Sequence, residues 1–308
     1  MKIRPSMTRS PMCRLLLPLA LLLPQAAFAD APPQVVAVQN LGSTPKVDGE
    51  LGEWGSDGWI KIPVKPALPR DERAKYGLEP SGERNTTGKL EVEMKAGVAG
   101  GKLFIAVRYP DDAADTQYKD WVWRDNKYQR DNQLDDMFAV RFHLSGDYDR
   151  TMLSTKEYRV DVWLWSAARS NPTGFAEDMN HFITTKMQDS AAEYQVKDGP
   201  VIYISKQRDE GAGPYDVVPR PRENKGDKLI SFVPATPSGS GADVAAKGVW
   251  KAGQWSLEFA RALNTSRPDD VVFKPGTKLL GQIAVFNRSA AENKSVSEPL
   301  LFDFSAVK

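Results

Sequence analysis

Residues 89–110 read KLEVEMKAGVAGGKLFIAVRYP. In the first half Leu90, Val92 and Met94 share one parity, while Glu91, Glu93 and Lys95 share the other. In the second half Leu103, Ile105, Val107 and Tyr109 repeat the pattern. A period of two is the mark of a strand that buries one face. The linker VAGG places two glycines where a tight turn demands unusual backbone angles. The stretch therefore predicts an antiparallel hairpin, 89–97 with 102–110.

The same reading extends along the chain. DDMFAVRFHL (135–144) and EYRVDVWLW (157–165) follow as strands across the turn SGDYDR. PVIYIS (200–205), QWSLEFAR (254–261), KLLGQIAVFN (278–287) and EPLLFDF (298–304) complete the set, and VVAVQN (35–40) opens it. Frequent short strands with Gly, Asp and Pro turns predict an all-β fold, an antiparallel β-sandwich. Helical signal is thin, and GFAEDMNHFITTKMQDSAAEYQ (174–195) is expected to hold one or two short helices. Two insertions break the rhythm, near 64–88 and 206–247, and both read as long surface loops.

The N-terminus carries Lys2, Arg4, Arg9 and Arg14, then LLLPLALLLP, then Ala27-Phe28-Ala29 before Asp30. That order is a cleaved signal peptide over 1–29, leaving one domain over 30–308 in the periplasm with no membrane span. Cys13, the single cysteine, lies in the signal. Disulfides, thiolate metal sites and covalently attached haem are thereby excluded from the mature chain. Of 41 basic and 40 acidic residues, four basic ones lie in the signal, so 37 against 40 remain, a net charge of −3. No basic stripe with interleaved aromatics suggests nucleic acid.

Motifs for hydrolysis or nucleotide binding are absent, and the two histidines, His143 and His181, read as structural. Asp147 and Asp149 offer a possible calcium site, but aspartates between strands are ordinary turn residues. Two tryptophan pairs stand out: Trp163 with Trp165, and Trp121 with Trp123. Each pair shares one face of its segment. They are expected either as plain core, as the wall of a pocket for a flat ligand, or as a platform for stacking on sugars.

Four strings taken together carry a resemblance: VDGELGEWG (47–55), DMFAVRFHLSGDYDRTMLS (136–154), VDVWLWSAARSNPTGFAED (160–178) and IAVFNRSAAENKSVS (283–297). The chain resembles the ethylbenzene-dehydrogenase-type haem-binding domain. That family includes the haem b (gamma) subunits of periplasmic molybdoenzymes of the dimethyl-sulfoxide-reductase class. The first string is shared with carbohydrate-binding modules of similar fold. The resemblance implies a carbohydrate-binding-module-like sandwich holding one non-covalent haem b, with a methionine and a lysine on the iron. Carried over by position, Lys294 is the lysine ligand, Met152 the methionine ligand, and Met137 the fallback. Trp163 and Trp165 would wall the porphyrin, with Trp121 and Trp123 over its mouth, and Arg169 or Asn171 would approach a propionate. Where many relatives carry W-H-W-K, this chain has Leu164 and Ser166. The implied role is electron transfer with a molybdoenzyme iron–sulfur subunit or a c-type cytochrome, with no substrate transformed by the chain itself. The alternative is a carbohydrate-binding module that uses exposed tryptophans.

Overall fold

The computed structural model describes residues 32–82 and 84–308. The expected signal peptide, with Cys13, lies outside them. Leu90–Ala99 and Lys102–Pro110 form the expected hairpin, with Val98 opposite Leu103. Gly100 and Gly101 take φ values of +55° and +75° at its turn, angles that any residue with a Cβ adopts at a cost. Residues Pro33–Lys308 form one compact unit.

Most strands belong to one sheet that doubles back on itself. From the hairpin the sheet runs one way through Gln254–Ala262 to Ala245–Lys251. The other way it passes through Ile60–Pro66, Ser295–Ser297 and Lys278–Phe286. It then reaches Met137–Gly146, Tyr158–Ser166, Glu177–Thr184 and Val201–Arg208. Four strands separate Lys102–Pro110 from Met137–Gly146 along this path, yet Tyr109 stacks on Phe138 at 5.7 Å between ring centroids. Trp165 meets Trp255 at 4.9 Å, and Trp163 meets Phe259 at 6.4 Å. Such contacts require the two halves to face each other, which makes the fold a β-sandwich with an aromatic core.

Two expectations are corrected. Pairing is not purely antiparallel: Gln34–Asn40 runs parallel to Leu300–Asp303 with its first half and to Leu90–Ala99 with its second. Parallel neighbours need long crossovers, and here hundreds of residues separate the chain's two ends. The segment 174–195 holds no helix but two strands, Glu177–Thr184 and Ala192–Gln195. The first is buried on both faces, so polarity does not alternate along it. Among the described residues helical structure is confined to short 3-10 turns, such as Arg70–Tyr76 and Ala291–Asn293.

The insertions are not bare loops. Within 64–88, Leu68 and Tyr76 are buried in a second hydrophobic cluster on the outer face of the sheet. Within 206–247, short strands pair as Tyr215–Val217 with Phe232–Pro234, and Lys228–Leu229 with Trp121–Arg124.

Candidate functional site

Phe138, Val140 and Phe142 point into the sandwich core. Strand alternation sends Met137, Ala139 and Arg141 to the other side. Leu164 lies opposite Ala139 and Val162 opposite Arg141 on the next strand. Beyond them Met179 pairs with Val162, His181 with Val160, and Lys206 with His181. On the opposite flank Ala284 pairs with Ala139. These side chains floor a cavity of about 250 Å³. Ala139 and Ala284 keep the middle of the floor low, since neither projects beyond its Cβ.

The roof comes from three loops. Ala67 follows the strand Ile60–Pro66, Arg150 and Met152 sit on the turn before Tyr158–Ser166, and Ala291 and Lys294 sit on the turn after Lys278–Phe286. Backbone hydrogen bonding fixes this roof: Ala67 N donates to Lys294 O at 2.8 Å. Arg73 donates to Asn293 Oδ1 at 3.0 Å, which ties the 70–76 turn to the lysine-bearing turn. Of the segment expected as a surface loop, Ala67 lines the cavity and Arg73 braces the turn that carries Lys294.

Lys294 is half-buried, and its amine donates to Ala291 O at 2.8 Å. Burial, reinforced by the nearby charges of Lys206 and Arg141, pulls its pKa down to about 7. An amine that loses its proton near neutrality is a lone-pair donor. Two thioethers, Met137 and Met152, line the same cavity. Met137 Sδ accepts a hydrogen bond from Arg169 Nη2 at 2.8 Å, which leaves Met152 the freer sulfur. His181 also lines the cavity, is 7% exposed, and has no hydrogen-bond partner at either ring nitrogen. Burial and the neighbouring Lys206 and Arg141 cations hold its pKa well below the usual histidine value, so the ring is neutral.

Lys294, Met152, Met137 and Arg169 are thus brought together, and three other expectations are not met. Trp163 and Trp165 do face the sandwich interior, but the cavity lies on the other side of their strand, so Val162 and Leu164 line it instead. Asn171 is spent on structure: its Oδ1 accepts from Trp165 Nε1 at 3.0 Å and Gly248 N at 2.8 Å. Trp121 and Trp123 sit in a separate three-stranded sheet, where Trp121 Nε1 donates to Val218 O and Arg130 lies 4.0 Å over its ring. Arg169 reaches the cavity, but its guanidinium is held by Asp135 at 3.3 Å and Glu177 at 3.8 Å. Asp149 accepts from Thr151 N and Ser154 Oγ, as a turn residue does.

Sequence reading passed over the cationic side of the cavity, made by Arg141, Arg150 and Lys206, and the neutral His181 beside it. Nε of Arg141 and Nη2 of Arg150 are buried without a hydrogen-bond acceptor. The signal was parity: once 177–184 is read as a strand, Met179, His181 and Ile183 fall on one face.

A profile of the ethylbenzene dehydrogenase family matches residues 56–296. The chain belongs to that family. No curated protein sequence matches it. Among solved structures, a protein of Bacteroides uniformis described as a candidate carbohydrate-binding protein aligns with a TM-score of 0.41 at 9% identity, over 87% of this chain and 91% of that one. A family 9 carbohydrate-binding module of Caldicellulosiruptor kristjanssonii, solved with glucose, aligns with a TM-score of 0.32 at 9% identity, over 85% and 84%.

Proposed function

We propose that the chain is a periplasmic electron-transfer protein that binds one haem b non-covalently in the cavity roofed by Ala67, Met152 and Lys294. The observation that carries this reading is that Lys294 and Met152 line one apolar cavity, where burial also lowers the pKa of the amine. The residues present fit the group. Ala139, Ala284, Val162 and Leu164 offer an apolar floor, Lys294 and Met152 offer the iron donors, and the orphaned nitrogens of Arg141 and Arg150 offer counter-charges for propionates. Bound there, haem supplies one-electron chemistry, with a potential tuned by its ligands and by burial.

The chain's own contributions follow from its residues. Burial strips the proton from Lys294 at little cost near neutral pH. The turn bonded to Arg73 and Ala67 sets where the amine sits. No catalytic residue is assigned to the chain. As a member of its family it serves as subunit of, or partner to, a molybdenum oxidoreductase, receiving or returning electrons through an iron–sulfur subunit or a c-type cytochrome. The carbohydrate-binding alternative asks for exposed tryptophan faces, and Trp163 and Trp165 are fully buried.

The test is the visible spectrum of the protein loaded with haem, before and after dithionite. A six-coordinate b-type spectrum is expected. Lys294→Ala and Met152→Ala should each change that spectrum or lose the haem, while His181→Ala should leave the axial set intact. A spectrum unchanged in both ligand variants but altered by His181→Ala would transfer the nitrogen ligand to the histidine. A protein that takes up no hemin would end the haem reading.

A further inference from the structure

On the core side of Glu177–Thr184, opposite the cavity, Asp178 lies across from Trp163. It is 2% exposed, and neither of its carboxylate oxygens accepts a hydrogen bond. Asp209, just past the strand Val201–Arg208, is 7% exposed and equally unpartnered at both oxygens. Asp161 and Asp270, fully or nearly buried, complete the group. The Arg261 guanidinium reaches Asp161 Oδ2 at 2.6 Å and Asp270 Oδ1 at 2.9 Å. Their second oxygens, Asp161 Oδ1 and Asp270 Oδ2, accept nothing. Arg261 thus pairs with two of the four buried carboxylates, Arg208 beside the other two is held by Glu177, and six carboxylate oxygens are left orphaned.

Ionised carboxylates do not stay buried without a partner. The spacing says what the partner is. Oxygens of Asp161, Asp178 and Asp270 lie within 4.8 Å of one another, as do those of Asp209, Asp269 and Asp270. A calcium ion bound at about 2.3–2.6 Å holds its oxygens no more than about 5 Å apart. A void of about 10 Å³ borders Asp178 and Asp209, close to what a single ion or water needs. A wider cleft beside it, lined by Asp209 and Asp269, opens toward solvent.

We propose that Asp161, Asp178 and Asp270, joined by Asp209 across the void that it shares with Asp178, bind one divalent cation of the calcium type, with Arg261 orienting two of the four carboxylates. All the donors are hard oxygens with no histidine among them, which selects against zinc and copper. Six orphaned oxygens suit the large, flexible shell of calcium better than the small, water-retaining one of magnesium. The site lies on the opposite face of the sheet from the haem cavity and does not depend on it.

The test uses the full chain without haem, stripped with EDTA and titrated with Ca²⁺ alone, by calorimetry and thermal unfolding. One Ca²⁺ per chain should bind and raise the melting temperature. Asp178→Asn should weaken binding by more than about tenfold and lose the thermal response. Its stripped form should be at least as stable as the stripped parent, because a buried charge has been removed. Asp209→Asn serves the same purpose if that variant does not fold, and Asp147→Asn, in a surface turn, should keep both responses. Stripped parent protein that ignores Ca²⁺, Mg²⁺ and Mn²⁺ would overturn the site, as would wild-type binding by both Asp178→Asn and Asp209→Asn.

Discussion

The strand Tyr158–Ser166 presents two surfaces that have little in common. Toward the core it offers Trp163 and Trp165, fully buried against Phe142, Phe259 and Trp255. Toward the outside it offers Val162 and Leu164, which floor a cavity. One face is packed with aromatic rings, and the other borders a cavity of about 250 Å³. The lesson is that large aromatics in a β-sandwich mark where the fold is closed, and that small aliphatics beside them mark where it stays open.

Substitutions on the two faces should therefore separate stability from binding. Trp163→Ala leaves a hole in the core and should cost about 3–5 kcal/mol in urea unfolding. Gly248→Ala attacks the same face from the other side, since a Cβ there would lie 2.4 Å from Trp165 Cζ2 and from Leu257 Cδ2. Overpacking of that kind should cost about 1–3 kcal/mol, with haem affinity at most weakly changed. Leu164→Ala should reverse the ranking, with a loss below about 1.5 kcal/mol at a half-buried position and a visible shift in the haem spectrum. If Leu164→Ala proved as destabilising as Trp163→Ala, the distinction between closed and open faces would fail.

A different kind of effect is a pH slope. With Lys294 at about 7 in the folded protein against 10.5 ordinarily, the unfolded chain holds a proton there that the folded one lacks between those values. Stability of the haem-free protein should rise with pH across that window. Lys294→Met removes the contribution, so it should stabilise the haem-free protein most at pH 6 and least at pH 10. Equal effects at both pH values in urea titrations would show that the amine is not desolvated.

Much of this contrast was legible in the chain. Alternation in 89–97 and 102–110 located the hairpin, because each strand there buries one face more than the other. The same rule put Trp163 and Trp165 on one side and Leu164 on the other, but periodicity cannot say on which side a cavity lies. The strand Glu177–Thr184 escaped notice because both its faces are buried and polar groups lie on each. Glu177 and His181 line the cavity side, while Asp178 faces the carboxylate cluster. Lys294 and Met152 were reached by resemblance. His181, Arg141 and Arg150 became visible only when the strands were assembled.

The first strand has a consequence for how the molecule comes into being. Gln34–Asn40 is wedged between the last strand and the hairpin, and Asn40 bonds to Ala306, 266 residues away. Closing a loop of that length is entropically slow, and contacts of such separation form late. Without Leu300–Asp303 the seam cannot be completed, so the sandwich should shut only after that strand has been made. A nascent or truncated form would keep an open edge and an unfinished core, which makes the C-terminal strand the latch of the whole assembly.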